Sequence, residues 1–192
     1  MPRIDKAVIE HCFSVDPKAK KVKKKCRSFS VEKYAAIATD MDHLLVTGFI
    51  RESHYPEWLS NVILVKKASG KWRMRVDFTD LNKSCPKDIF PLPRIDLIVD
   101  STTGHPLLSF MDAYSGYNQI RMNPDDEEKI AFVTDRGLYC YKAMPFGLKS
   151  AGATYKRLVN RMFKEHIGRN MEVYVDDLLF KSKKPEQHIA EL

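Results

Sequence analysis

Cysteine is sparse in this chain and never spaced as metal or redox chemistry requires. Only Cys12, Cys26, Cys85 and Cys140 occur among 192 residues. No C-x-x-C is present, which excludes a zinc ribbon and a dithiol redox motif and leaves four reduced thiols as the expectation for an intracellular protein. Long apolar runs are missing as well: stretches such as 43–50 and 58–65 fall far short of the roughly 18 residues a membrane helix needs. The N-terminal Met-Pro-Arg-Ile-Asp has no apolar secretory core. No membrane partner is therefore expected. Eight glycines without a period exclude a collagen-like or low-complexity chain. Against these absences stands a hydrophobic share of 44%, ordinary for a globular fold, in a length that at about 150 residues per domain means one domain or one with an appendage.

Charge is concentrated. Lysine and arginine number 32 against 25 acidic residues, a formal +7. Seven of the basic residues, Lys18, Lys20, Lys21, Lys23, Lys24, Lys25 and Arg27, lie in one ten-residue stretch. Without them the balance is 25 to 25, so the excess belongs to a single segment. Such a run is either a solvated arm or a contact for a polyanion such as nucleic acid. With two prolines and little periodicity, residues 1–28 read as an extended basic arm preceding the fold.

From Val31 to Val46 the apolar positions Tyr34, Ala35, Ile37, Ala38, Met41, Leu44 and Leu45 recur at helical spacing, with Ser30 as N-cap, Gly48 as stop and a Phe29–Tyr34 staple. Residues 61–67 and 71–78 read as a hairpin around Ala68-Ser69-Gly70, carrying Lys66, Lys67, Lys71, Arg73 and Arg75. Pro86, Pro91 and Pro93 make 81–94 a surface connection. A short helix is expected over 95–101 and a buried strand over 107–111, ending at Asp112. Residues 129–134 and 138–142 form a second hairpin signal, 150–167 a long helix, and 171–175 with 178–181 two strands flanking Asp176-Asp177.

These aspartates sit badly in a purely structural reading. Asp112 follows apolar residues, and Asp176-Asp177 is bracketed by Met171, Val173, Tyr174, Val175 and by Leu178, Leu179, Phe180. Carboxylates on buried flanks are costly without a cation. If the two strands are neighbours, Asp112 and Asp176 converge and provide the oxygen ligands that Mg²⁺ takes, in a pair able to serve in-line phosphoryl transfer. The plain alternative is a turn composition and a helix cap. Likewise the basic hairpin is either a triphosphate clamp or a solvated face, and Tyr114 and Tyr117 are either a wall against a sugar or core.

The order of segments resolves the choice. WRMRVDFTDLNK at 72–83, DIFPLPRID at 88–96, SFMDAYSGYNQI at 109–120, MPFGLKSAGAT at 144–154 and YVDD at 174–177 together resemble the reverse transcriptase of gypsy-class LTR retrotransposon polyproteins, plant ones in particular. PRIDKAVIEHCFSVDPKAKKV at 2–22 is similar to the polyprotein segment that precedes the polymerase. The resemblance implies an α+β right-hand polymerase, its antiparallel palm sheet packed on helices. It implies fingers over about 29–105 and 120–145 and palm over about 106–119 and 146–192. With the chain stopping soon after YVDD, it also implies an incomplete palm and no thumb or RNase H.

By the same resemblance Asp112, Asp176 and Asp177 are catalytic, and with the carbonyl of Ala113 they hold Mg²⁺, or Mn²⁺ in its place. Arg73 and one of Lys66 and Lys67 contact the triphosphate. Tyr117 lies under the incoming sugar and disfavours a ribose 2′-OH. Phe146 and Gly147 line the nucleotide pocket, and Tyr174 and Val175 lie near the primer terminus. The implied partners are an RNA or DNA template-primer, dNTP and the rest of a polyprotein. The implied location is the cytoplasm, within a virus-like particle, or the nucleus. The expected function is RNA-directed DNA synthesis, weak or absent in a fragment alone. The competing readings are a non-enzymatic nucleic-acid-binding remnant and a protein-interaction module with a fossil site.

Overall fold

The computed structural model describes residues 3–91, 94–112, 115–174 and 177–191. The chain divides into two compact units, 1–87 with 117–151, and 88–116 with 152–192. The first unit thus includes the N-terminal segment and 146–151. The second takes 88–105, a different partition from the one expected of the sequence.

The first unit contains β1 (Glu10–His11), α1 (Val31–Val46), β2 (Ile50–Glu52), β3 (Ser60–Lys66), β4 (Trp72–Asp77) and α2 (Thr79–Ser84). After the short α4 (Gly116–Gln119) it continues with β6 (Arg121–Met122), α5 (Pro124–Glu127), β7 (Phe132–Thr134) and β8 (Gly137–Tyr141). Its main sheet has the order β2-β8-β7-β3-β4. Helix α1 forms where periodicity placed it. Ser30 enters in an extended conformation without a side-chain cap, the Phe29 and Tyr34 rings meet edge-on at 5.8 Å, and Gly48 at φ +67° closes the helix. The Gly48 amide donates to Leu45 O and the Phe49 amide to Leu44 O, a Schellman ending that suits a glycine in the left-handed region. On β4, Met74 and Val76 are buried while Arg73 and Arg75 are exposed, the period-2 alternation of a sheet covered on one side.

Two expectations for this unit give way. The connection placed at 81–94 begins with helix α2. The Asp77 carboxylate accepts from the Thr79 amide at 3.1 Å and Leu81 is only 1% exposed, so a local cap and core burial outweigh the prolines that start at Pro86. Residues 1–28 do not stand off as an arm. Strand β1 pairs in parallel with β6, Glu10 opposite Arg121, and His11 is fully buried. The Phe13 amide donates to Asp126 Oδ2 at 2.7 Å. Farther on, the Asp16 amide donates to Ser84 O, Leu59 N to Val22 O and Lys24 N to Leu59 O, each at 2.9 Å. Main-chain bonds hold the segment as a strap, whatever its charged side chains do.

The second unit contains α3 (Ile95–Thr102), β5 (Leu107–Asp112), α6 (Ala151–Met162), β9 (Met171–Tyr174), β10 (Asp177–Ser182) and α7 (Pro185–Glu191). Its antiparallel sheet has the order β5-β10-β9. The helix expected over 150–167 ends at Met162 and continues as turns to Gly168 at φ +83°. Within the expected 129–134 strand, Glu128–Ile130 is a 3-10 helix and only Phe132–Thr134 is extended. Strand β5 is half open and not buried as expected: Leu108 is 42% and Phe110 74% exposed. Among the described residues no helix is long and apolar enough to cross a membrane.

Candidate active site

Register decides what the second unit can do. Asp112, the last residue of β5, pairs directly with Asp177, the first of β10, and Asp177 in turn faces Tyr174 of β9. The three make one row across the end of the sheet. The next row on the same face is Phe110, Leu179 and Glu172, followed by Leu108 and Lys181. Side chains of directly opposed residues have Cβ atoms about 4.5–5.5 Å apart, and like charges there are destabilising. Neither Asp112 nor Asp177 has an ion-pair partner among the described residues. Both are exposed, which corrects the expectation that these carboxylates are buried; they lie at the open end of a face whose deeper rows bury Leu179 and Lys181. Hard, accessible oxygen donors held opposite each other without a protein cation suit Mg²⁺ or Mn²⁺. Ala113, Tyr114, Val175 and Asp176 lie outside the described residues.

Below the carboxylates runs an apolar groove of about 250 Å³ lined in part by Ile98, Val99, Phe110, Tyr174, Asp177 and Leu179. Its floor is fixed by a buried cation. Lys181, 4% exposed, bonds Glu172 Oε1 at 2.7 Å and the Ser101 carbonyl at 3.0 Å, tying the end of α3 to two strands. Beneath the opposite face, His188 of α7 is held by Ser109 at 2.7 Å and Ser182 at 3.0 Å. Helix α6 carries the segment 88–91 on its surface: Arg157 grips Asp88 through both terminal nitrogens at 2.7 and 2.8 Å and lies 4.6 Å from the Phe90 ring centroid. Lys156 donates to Pro91 O at 2.8 Å, and burial lowers its pKa.

In the first unit Arg73 is exposed on β4 opposite Val65. Lys66 and Lys67 are exposed too. The Lys66 ammonium lies 5.8 Å from the Trp72 ring centroid, whereas Lys67 sits in the turn, its amide donating to Lys71 O. Tyr117 is 7% exposed and stacks obliquely on Phe146, which is 44% exposed, with ring centroids 4.7 Å apart. Next to Phe146, Gly147 takes φ +100°. A Cβ there would meet nothing closer than 3.7 Å, so backbone conformation and not space demands glycine.

What holds this loop escaped the sequence reading. The Asn82 amide donates to Gly147 O at 2.8 Å and its carbonyl accepts from the Lys149 amide at 2.9 Å, while Lys149 Nζ reaches Cys85 O at 2.8 Å. Both residues fall inside the recognisable segments 72–83 and 144–154, but nothing in their spacing pairs them.

Residues 65–192 match the family of reverse transcriptases (RNA-dependent DNA polymerases). The chain is 34% identical over 164 residues to the retrovirus-related Pol polyprotein from transposon opus of Drosophila melanogaster, covering 83% of this chain and 16% of the relative. It is 33% identical over 157 residues to the transposon Tf2-3 polyprotein of Schizosaccharomyces pombe, covering 82% and 12%. The chain thus spans about an eighth to a sixth of these curated relatives. In fold it is similar to the prototype foamy virus protease-reverse transcriptase, at TM-score 0.84 and 21% identity over 95% of this chain and 24% of that one. It is equally similar to the foamy viral protease-reverse transcriptase solved with an RNA/DNA hybrid, at TM-score 0.84 and 20% identity. The chain belongs to the reverse transcriptase family.

Proposed function

We propose that this reverse transcriptase chain is the fingers and part of the palm of a gypsy-class, plant-like retrotransposon polymerase. Within it, Asp112, Asp176 and Asp177, with the Ala113 carbonyl, hold Mg²⁺ for transfer of a nucleotide from dNTP to a primer 3′-OH. One observation carries the reading: Asp112 and Asp177 stand opposite each other, both exposed, with no ion-pair partner among the described residues. The bound metal supplies positive charge that favours the ionised primer hydroxyl and the departing pyrophosphate.

The chain's own residues do the rest. The palm sheet keeps Asp112 and Asp177 opposed and accessible. Arg73, with Lys66 or Lys67, offsets triphosphate charge through charge-assisted hydrogen bonds. Tyr117, backed by Phe146, fills the space a ribose 2′-OH would need, and Gly147 lets the backbone approach the nucleotide. Tyr174 and Val175 lie against the primer end. The partners on this reading are an RNA or DNA template-primer and the remaining polyprotein, including thumb and RNase H. The location is intracellular, in a cytoplasmic virus-like particle or the nucleus.

The test is primer extension on RNA and DNA templates with Mg²⁺, by this chain and by the chain extended with the thumb-containing segment of a relative. Incorporation that depends on Mg²⁺ and is lost in Asp112→Asn and Asp176→Asn is expected of the extended chain, with little from the chain alone. An extended chain that folds, binds duplex and still incorporates nothing would leave only a nucleic-acid-binding remnant.

A further inference from the structure

The basic segment was the one strong sequence signal that the polymerase reading left without a task. The whole formal excess of +7 lies in it, and the structure gives it a fixed course. Its backbone is pinned by the reciprocal bonds of Val22 and Lys24 with Leu59 and by the bond from Asp16 to Ser84. The lysine side chains are not what holds it. Lys21 pairs with Glu57 and Lys24 with Asp80 at 2.7 Å. Lys18, Lys20, Lys23, Lys25 and Arg27 are exposed and have no ion-pair partner among the described residues.

Beside them the strap and α2 enclose an open groove of about 780 Å³, lined by Ser14, Asp16, Lys20, Asp80, Lys83 and Ser84 among others. Its acids are already engaged: Asp80 with Lys24 and with Lys83 at 3.8 Å, and Asp16 with the Lys18 amide at 2.9 Å. The groove's charged lining sets Asp16 and Asp80 against Lys20 and Lys83, so the positive excess lies on the exposed side chains of the strap itself.

We propose that this strap, residues 18–27, binds the phosphate backbone of single-stranded nucleic acid. A line of cations whose backbone is already ordered loses no main-chain entropy on binding. Neutralising phosphates with lysine and arginine releases condensed counterions, which supplies affinity without base recognition. A flexible single strand can adjust its phosphates to cations whose main chain is fixed, whereas a duplex, stiff over about 150 base pairs, presents its phosphates at spacings it cannot adjust. Residues 14–27 hold no aromatic side chain, so base stacking, the sequence-tolerant source of affinity in many single-strand sites, is absent from the strap. The binding is electrostatic and blind to sequence. The proposal rests on the chain handling nucleic acid, and its test reads binding alone, so loss of polymerase activity and loss of this site are distinguishable.

The experiment is fluorescence anisotropy with a labelled single strand of about 16 nucleotides and its duplex, titrated between about 50 and 200 mM salt. Three proteins are compared: the unaltered chain, a strap variant (K18Q, K20Q, K23Q, K25Q, R27Q), and a charge-matched control (K6Q, K87Q, K164Q, K183Q, K184Q) on exposed sites elsewhere. Circular dichroism melts verify that all three fold. The strap variant should lose affinity at the lower salt by on the order of 10- to 100-fold, and its log–log salt slope should fall by about 0.7 for each contact removed. The control should stay within about threefold of the unaltered chain, the spread expected when no phosphate contact is lost. Equal losses in variant and control, tighter binding of duplex than of single strand, or no binding by the unaltered chain would each overturn the assignment.

Discussion

Replacing Asp177 by Asn should make the metal-free chain more stable and remove most of its response to Mg²⁺. Asp177 lies directly across from Asp112, both are exposed, and at that separation like charges cost a few tenths to about 1 kcal/mol. The amide keeps the shape, removes one charge and can donate to Asp112. At about 2–4 °C per kcal/mol for a chain of this size, the melting temperature in chelator should rise by roughly 1–3 °C. The unaltered chain gains what the variant loses. A ligand held at a hundred times its Kd stabilises by about 2.7 kcal/mol, so saturating Mg²⁺ should raise its melting temperature by roughly 5–10 °C. The variant should show less than about half of that shift, because one hard anionic ligand is gone. The assay is a pair of thermal melts, in EDTA and in Mg²⁺, with Asp112→Asn as the mirror change and Asp100→Asn, an exposed acid away from the row, as control. A variant that melts below the unaltered chain in EDTA, or that responds to Mg²⁺ equally, would refute the cross-strand argument.

Lys181→Ala strands Glu172, whose side chain is 15% exposed, and should cost about 3–5 kcal/mol in urea unfolding, while the K181M/E172L pair stays within about 1–2 kcal/mol of the original; additive effects in that cycle would exclude a coupled pair. In an active extended polymerase, Tyr117→Val should lower the kcat/KM preference for dNTP over rNTP by about tenfold or more, the scale of one lost steric contact, and an unchanged ratio would sink the assignment of Tyr117. Burial pushes the Cys140 thiol up to about 12, whereas an unfolded thiol ionises near 8.5. The stabilisation from this neutral thiol is therefore complete below about pH 8.5 and is lost as pH climbs toward 12. At pH 8 a maleimide should label the exposed Cys26 in the native chain and Cys140 only after denaturation, and equal native labelling would contradict that burial.

What the sequence disclosed depended on how local each cause was. Helix α1 was legible because its staple, stop and apolar spacing all lie within the helix or two residues from it, and the β3–β4 hairpin because its turn supplies its own glycine. Helix α2 was hidden. Its cap comes from Asp77 and its anchor from the burial of Leu81, while the prolines of 86–93 dominate any local reading. The strap was hidden for a different reason. Composition reports side chains, and seven basic residues look like a solvated arm, but the bonds that fix it run from main chain to main chain over tens of residues. One of its pairings, β1 with β6, joins segments more than a hundred residues apart, and no short-range pattern encodes that.

Apolar flanks on both strands led to Asp112 beside Asp176, which lies outside the described residues; the described neighbour of Asp112 is Asp177, and the burial those flanks suggested is shown by neither of this pair. Asp112 and Asp177 sit in the end row with Tyr174, on a face where Phe110 is exposed while Leu179 and Lys181 of β10 are buried. The hydrophobic signal came from both faces: Met171, Val173, Leu178 and Phe180 on one and Leu179 on the other are each 7% exposed or less. The pairing of β10 explains why the acids stay opposed. Sliding it by one residue would turn Lys181 to the other face, away from Glu172 and the Ser101 carbonyl, stranding a buried charge at a cost of about 3–5 kcal/mol. The repulsion relieved would be about 1 kcal/mol at most. The buried ion pair thus outweighs the carboxylate repulsion several times over, so the register that keeps Lys181 paired also keeps two negative charges facing each other, ready for a cation, in the absence of any ligand.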